Sequence, residues 1–300
     1  PKFLDSTTSA TEDSRQNGDD SHTDWKLALQ HDLSDDVMVY GSASTGYIAG
    51  GTQGGGSNEL NDPNEVDSYE LGMKSMLLDG SMRLNVAAFY NDFSGLTTSS
   101  FIAQGETIVA RQVPGGSMTA KGIEVEMNWQ VTDAFNLSAA LSLLDAELDD
   151  FSRTVSNRVF RAGGDEEIGD NPPGDSSNSQ VYYLSGQTAR FSPDWTLAVD
   201  ASYEFDLGGM GSLVPGAYIY ASDSYKTTNV PYFFTQQDSY TTVDLRMTWY
   251  QDQGPWSVRG YVTNATDETV QVGGDQFSEG RAVADFNAPR TYGVSVRYNF

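Results

Sequence analysis

Cysteine is absent from this 300-residue sequence, and histidine occurs only twice, as His22 and His31. The chain therefore has no disulfide, no thiolate metal site and no cysteine nucleophile. Two histidines near the start argue against a Ser-His-Asp triad and against a zinc site built on histidine. Since no GxSxG, phosphate-loop or dinucleotide-binding motif occurs either, we expect neither an enzyme nor a bound metal or cofactor.

Positive charge is also scarce, because 17 Lys and Arg stand against 42 Asp and Glu, which gives a formal net charge of -25. A surface this acidic repels the phosphates of nucleic acids. We therefore expect no nucleic-acid partner.

Long apolar runs are missing as well, since no stretch approaches the ~18 consecutive apolar residues of a membrane-spanning helix. This excludes a helical membrane protein but not a membrane barrel, whose strands turn only every second residue toward lipid. The first residues, 1–5, lack the charged and apolar segments of a signal peptide. An exported protein would therefore be represented here by a processed or truncated piece.

The sequence instead alternates between apolar and polar residues with a period of two. In the last ten residues one face is apolar and the other polar, as expected of a strand whose successive side chains point to opposite faces. The apolar face holds Tyr292, Val294, Val296, Tyr298 and Phe300, and the polar face Thr291, Gly293, Ser295, Arg297 and Asn299. The same alternation recurs over 83–90, 122–129, 195–205 and 242–249.

Tight turns and long loops alternate between these strands, as they do in outer-membrane barrels. The tight turns are predicted near 34–36, 79–80, 132–134, 208–211 and 252–254, and the long loops at 49–64, 95–115, 151–188, 226–236 and 273–286. We expect the long loops to lie together on the outside of the cell.

The strands between these connections number about eleven, and the fold class predicted is an all-β, antiparallel transmembrane barrel. Bacterial single-chain barrels have an even number of strands, so we expect a comparable number upstream. Residues 1–21 are then the end of an external loop, and 22–300 form the C-terminal half of the barrel. The strands are expected at 22–32, 37–48, 66–78, 81–94, 116–130, 135–150, 189–206, 212–225, 237–250, 256–272 and 287–300.

Aromatic residues near the strand ends predict interfacial girdles. At the tight-turn end we expect Trp129, Trp195, Trp249 and Trp256.

Charged residues on the polar faces should point into the lumen, since Arg or Lys facing lipid costs ~2–4 kcal/mol at the midplane. Two interpretations stay open: contact with a plug or solute, and cross-strand ion pairing, which we favour for most of them. They are Lys74, Arg83, Glu124, Glu126, Asp200, Glu204, Asp244, Arg246 and Arg297.

Ligand contacts are predicted in the long loops. Three arginines in 151–188 could meet an anionic ligand, while the carboxylates of that loop lack the spacing of a calcium site. Exposed aromatics in the next two loops suggest a partner. The candidates are Arg153, Arg158, Arg161, Tyr232, Phe233, Phe234, Phe277 and Arg281.

Five motifs in order resemble the C-terminal barrel half of the TonB-dependent receptor family. Each is weak alone, but together they cover nearly the whole chain. They are YGSASTGY at 40–47, Glu65 with YELGMK at 69–74, KGIEVE at 121–126, NATDE at 264–268 with Ala265 where Leu is more usual, and APRTYG at 288–293.

The resemblance implies a barrel of about 22 strands with a plugged lumen in the bacterial outer membrane, surrounded by its lipid. The plug, absent from these residues, would contact the TonB complex, and a small-molecule ligand would be taken up actively, most simply a ferric siderophore. Oligosaccharide, haem or vitamin uptake, a passive porin and an extracellular β-rich binding or structural protein are the alternatives. Val294, Val296, Tyr298 and Phe300 resemble the terminal signal read by the outer-membrane barrel assembly machinery.

Overall fold

The computed structural model describes residues 21–51, 61–104, 107–156, 179–229, 235–278 and 281–300. Within these ranges the chain forms strands, one short 3-10 turn at Gly208–Met210 and no α-helix. No helix in the described ranges is long and apolar enough to cross a membrane. The strands are β1 (Lys26–Ser34), β2 (Val37–Ile48), β3 (Asn64–Leu77), β4 (Met82–Gln104), β5 (Thr107–Gln130), β6 (Phe135–Asp149), β7 (Ser152–Ser156), β8 (Ser179–Tyr183), β9 (Trp195–Tyr203), β10 (Phe205–Asp206), β11 (Ser212–Ser222), β12 (Tyr225–Lys226), β13 (Gln236–Gln237), β14 (Tyr240–Tyr250), β15 (Trp256–Thr263), β16 (Gln271–Ser278), β17 (Arg281–Phe286) and β18 (Thr291–Tyr298).

One large sheet contains the long strands in chain order, β1-β2-β3-β4-β5-β6-β9-β11-β14-β15-β18, with β10 beside β11. Every neighbour in this order is antiparallel. The predicted all-β antiparallel sheet of about eleven strands is therefore confirmed. The sheet is open between β1 and β18, which form its two edges.

As predicted, the short connections lie at one end of the sheet and the long ones at the other, and the long ones contain additional short strands. Tight turns close one end, and at the other end three small hairpins, β7–β8, β12–β13 and β16–β17, stand on the long connections. The loop predicted at 95–115 was wrong, because β4 and β5 continue as a hairpin through it. A bulge with Gly95 at φ 66° lets the pairing resume after the interruption.

The strand predicted at 256–272 ends earlier, at Thr263. Asn264 (φ 49°) and Asp267 (φ 59°) adopt the left-handed conformation that a strand cannot contain, and they turn the chain toward β16. The strand predicted at 189–206 likewise begins only at Trp195.

Cross-strand register gives the sheet one apolar and one polar face. Val199 lies opposite Ala139 on one side and Ile219 on the other. Ala198, the preceding residue, points to the other face and lies opposite Ala140 of β6 and Tyr220 of β11. The same alternation holds at β18, where Val296 pairs with Val258 but Ser295 with Arg259. We assign the apolar face to lipid and the polar face to the lumen.

Aromatic rings mark two levels on the apolar face. At the tight-turn end Phe135 lies 6.4 Å from Tyr203 and Trp256 lies 4.8 Å from Tyr298, measured between ring centroids. Trp195 was wrongly predicted at this end, because it begins β9 at the loop end. From Trp195 to Tyr203 the strand has 9 residues, within the ~9–11 residues that a tilted strand needs to cross a bilayer.

Replacing Val199 by arginine tests which face of the sheet contacts lipid. We expect Val199→Arg to lower the free energy of unfolding in lipid vesicles by about 2–4 kcal/mol, because the guanidinium would face hydrocarbon. Ala198→Arg is the matched control on the adjacent position and opposite face, and it should change this free energy far less. Equal losses for both variants would contradict the assignment of the faces.

Candidate functional site on the inner face

Four aromatic rings gather on the inner face at the loop end of the sheet. The ring centroid of Tyr240 lies 6.0 Å from Tyr220 and 6.3 Å from Tyr225, and that of Phe191 lies 5.9 Å from Tyr225. Tyr220 belongs to the polar face of β11, Tyr240 begins β14, and Tyr225 stands on the β12 hairpin. We call these four residues the tyrosine cluster.

Hydrogen bonds between the external connections hold the tyrosine cluster in place. The Tyr225 hydroxyl donates to the Gln271 carbonyl oxygen at 2.8 Å, and the Gln271 backbone N–H donates to Oε1 of Gln237 at 2.6 Å. The Phe191 backbone N–H donates to the Lys226 carbonyl oxygen at 2.8 Å. Three separate connections are thereby joined, so the rings are arranged before any ligand arrives.

Burial raises the pKa of the Tyr225 phenol, with the nearby Tyr220 adding to the increase and the hydrogen bond with Tyr240 opposing it. The hydroxyl is therefore neutral at physiological pH and acts as a hydrogen-bond donor. Beside it lies a polar cleft of about 280 Å³ whose walls include Asp194, Lys226 and Asp238. Ring faces next to a few convergent polar groups suit a small ligand that is partly aromatic and partly polar.

A small apolar core lies on the same face beneath β7–β8. Leu148 and Leu184 are 2% and 0% exposed, and they pack with Phe151, Ala146 and Ala120. The chain leaves β6 through Asp150 at φ 44°, after which the Leu184 backbone N–H donates to the Phe151 carbonyl oxygen at 2.8 Å. This core fixes the base of the 151–188 connection over the inner face.

Charged side chains on the strands share this polar face, as predicted. Arg246 forms two hydrogen bonds with the Asp200 carboxylate, at 2.6 and 2.7 Å, across the intervening Gly216. A Cβ at Gly216 would lie 2.7 Å from Cζ of Arg246, so the pair needs glycine at this point. On β2 and β3 the Tyr40 hydroxyl and Glu70 are 2.5 Å apart.

The ligand contacts predicted from sequence stay predictions. Arg158, Arg161, Tyr232, Phe233 and Phe234 lie outside the described residues. For three more, in the external hairpins, only the backbone is described: Arg153 in β7, Phe277 in β16 and Arg281 in β17.

Sequence reasoning missed the tyrosine cluster. One signal was available, because Tyr218 and Tyr220 occupy polar-face positions of β11 where small polar residues are usual. In the described ranges no group of three or more His, Cys, Asp or Glu could hold a metal ion.

Residues 3–265 match the family model described as TonB dependent receptor-like, beta-barrel. The chain belongs to this family. Barrels of the family lie in the outer membrane of Gram-negative bacteria, and its members are receptors and transporters rather than enzymes. They bind small-molecule ligands and interact with TonB.

This chain is similar to known siderophore and metallophore receptors. It is 26% identical over 124 residues to the metal-pseudopaline receptor CntO of Pseudomonas aeruginosa, which is 41% of this chain and 16% of CntO. The probable siderophore receptor PiuA of Acinetobacter baumannii is 28% identical over 107 residues, 36% of this chain and 13% of PiuA. The structure of the ferric yersiniabactin uptake receptor FyuA from Yersinia pestis gives a TM-score of 0.70 at 19% identity, covering 92% of this chain and 37% of FyuA. The fold is therefore shared, and this chain spans about a third of FyuA.

Cysteine scanning tests which end faces outward. We predict that a cysteine at the exposed Ser224 reacts with an impermeant maleimide in intact cells, because the β11–β12 connection lies at the loop end. The matched position is the exposed Asp133 in a tight turn, where labelling should require a broken outer membrane. Labelling of position 133 but not of position 224 in intact cells would show that the orientation assigned to the barrel is wrong.

Proposed function

We propose that this chain forms the wall and part of the external ligand site of an active transporter for a ferric siderophore or a similar metal chelate. The tyrosine cluster carries the proposal. It combines four aromatic rings, three of which carry a phenol hydroxyl, at the outer end of the lumen. Chelators with aromatic or heterocyclic donor groups offer flat apolar surfaces and polar atoms that match such a site.

The named relatives support this ligand class. FyuA is a ferric yersiniabactin uptake receptor, CntO a metal-pseudopaline receptor and PiuA a probable siderophore receptor. Membership of a TonB-dependent family favours active uptake over a passive porin. Haem, vitamin or oligosaccharide uptake is the second candidate, and ring stacking on the tyrosine cluster would also suit haem or a sugar.

We further propose which other parts and partners form the complete transporter. Residues 1–21 end an external loop and 22–300 form the C-terminal part of a barrel of about 22 strands. An upstream plug region would contact the TonB complex, and outer-membrane lipid would surround the apolar face. The inner-face carboxylates Glu124 and Glu126 are available to such a plug.

Binding measurements with ferric chelates test the ligand class. We expect Tyr225→Ala and Tyr240→Ala, in the full-length receptor, to weaken binding of the preferred complex about tenfold, since each removes a desolvated ring worth ~1–1.5 kcal/mol beyond its buried area. The panel consists of ferric tris-catecholate, tris-hydroxamate and α-hydroxycarboxylate complexes. Tyr69→Ala, on the outer face of the same end, is the control and should bind normally. Haem or vitamin binding with no response to any ferric chelate would contradict the proposal.

Val294, Val296, Tyr298 and Phe300 are proposed as the signal read by the barrel assembly machinery, with Trp256 packed beside its two rings. Tyr298 lies 4.8 Å from Trp256 and 5.1 Å from Phe300, measured between ring centroids. Rings at this level anchor a strand edge at the membrane interface while its backbone awaits pairing.

We predict that Phe300→Asp sharply lowers the amount of heat-modifiable, protease-resistant barrel, because the terminal ring is replaced by a charge. Phe300→Tyr keeps the ring and should assemble normally. Synthesis and export, followed by immunoblot, should be unchanged in both. Normal assembly of the Asp variant would show that this ring is dispensable.

A further inference from the structure

Three arginines form a diagonal line on the inner face of the last three sheet strands. Arg259 on β15 lies opposite Thr248 of β14, two residues beyond Arg246. It also lies opposite Ser295 of β18, two residues before Arg297. Each arginine is thus one strand across and two residues nearer the tight-turn end, a step of roughly 8 Å from strand and residue spacings. We call this line the arginine staircase.

The charge of the arginine staircase is only partly neutralised. Arg246 is paired with Asp200, whereas within the described ranges neither Arg259 nor Arg297 has an ion pair. Arg259 instead lies 5.9 Å from the ring centroid of Tyr261. Since the full sequence has 42 acidic and 17 basic residues, two unneutralised arginines on one small surface are unexpected.

A groove of about 610 Å³ runs along the arginine staircase. Its walls contain all three arginines, Tyr250, Tyr261 and several hydroxyl side chains, and no Asp or Glu. The bidentate contact with Arg246 occupies both carboxylate oxygens of Asp200. The groove is therefore a basic, hydrogen-bonding surface.

The arginine staircase is continuous with the tyrosine cluster. On β14 the inner-face residues run from Tyr240 through Thr242 and Asp244 to Arg246, a distance of about 20 Å at ~3.4 Å per residue. Tyr218 and Tyr220 of β11 fill the same rows. The path from the external end to the groove is thus lined by tyrosines first, then by the carboxylate Asp244, and by arginines at the groove.

We propose that the arginine staircase is an anion-binding track on the lumen wall, along which an anionic chelate moves from the tyrosine cluster toward the tight-turn end. Guanidinium groups bind carboxylate and catecholate oxygens through paired N–H donors. Arginines lining a pore select anions in the same way. The ligand's identity rests on the proposed function, whereas the anion preference of the groove does not.

Charged thiol reagents test the track in the full receptor without any assumption about the ligand. The chain has no cysteine, so Ser295→Cys gives a single reactive thiol beside Arg259 in a receptor otherwise freed of cysteine. The probes are the anionic sulfonatoethyl and the cationic trimethylammonioethyl methanethiosulfonates. We expect the anionic reagent to be favoured at least about fivefold relative to the same ratio at Ser42→Cys, which lies opposite Glu70. Arg259→Gln with Arg297→Gln should remove this preference.

Two outcomes would overturn the track. An equal or cationic preference at position 295 would mean that other carboxylates neutralise the staircase, for example from a strand pairing with the free edge of β18. Failure of both reagents to react would mean that the groove is packed against another segment, such as a plug.

Uptake of iron carried by a trianionic tris-catecholate gives the second measurement. The double Gln variant should bind this complex at the surface like wild type, yet import it at least about fivefold more slowly, and Arg→Lys at both positions should restore import. Unchanged import would contradict the track. If the receptor binds no ferric chelate at all, the proposed function fails while the reagent ratio still decides the anion preference.

Discussion

A backbone N–H or C=O group left unpaired in lipid costs several kcal/mol, and the whole architecture follows from this constraint. Each long strand is paired along its length with its neighbours in chain order. Even the long β4–β5 hairpin resumes its ladder directly after the bulge near Gly95. Because pairing is fixed, so is the face to which every side chain points, and a slip of one residue would invert the sheet.

Because the faces are fixed, the inner surface outside the small core beneath β7–β8 need not be closely packed, and large polar side chains lie flat against it over glycines. A Cβ at Gly72 would fall 2.4 Å from the Tyr40 ring, and one at Gly293 would fall 2.5 Å from the Tyr261 hydroxyl. Each glycine thus gives its neighbour room against the wall. Hydrogen-bonding groups such as Tyr40 and Arg246 are thereby held in defined positions on the inner face.

Strand faces could be predicted from sequence because the period of two survives wherever the backbone is paired. Strand ends could not, since they depend on single residues such as Asn264, whose left-handed conformation ends β15. The tyrosine cluster was missed for a different reason, although Tyr220 on the polar face of β11 was a signal for one of its members. Phe191, Tyr225 and Tyr240 come from separate elements and meet only through register and through hydrogen bonds between connections. Sequence reasoning instead favoured aromatic clusters within single loops, where contacts are local.

The distribution of charge reconciles the acidic composition of the chain with the proposed anionic ligand. On the outer face near the loop end Asp67 lies directly opposite Asp92, and Asp145 pairs with Lys121 at 2.9 Å. The screening length at physiological ionic strength is ~8 Å, so these outward carboxylates exert little force on a solute inside the lumen. Arg259 and Arg297 line the lumen groove itself, within one screening length of anything that enters it. Net charge therefore says little about the ligand, because the sign of the charge that a solute meets is set by the face on which each residue stands.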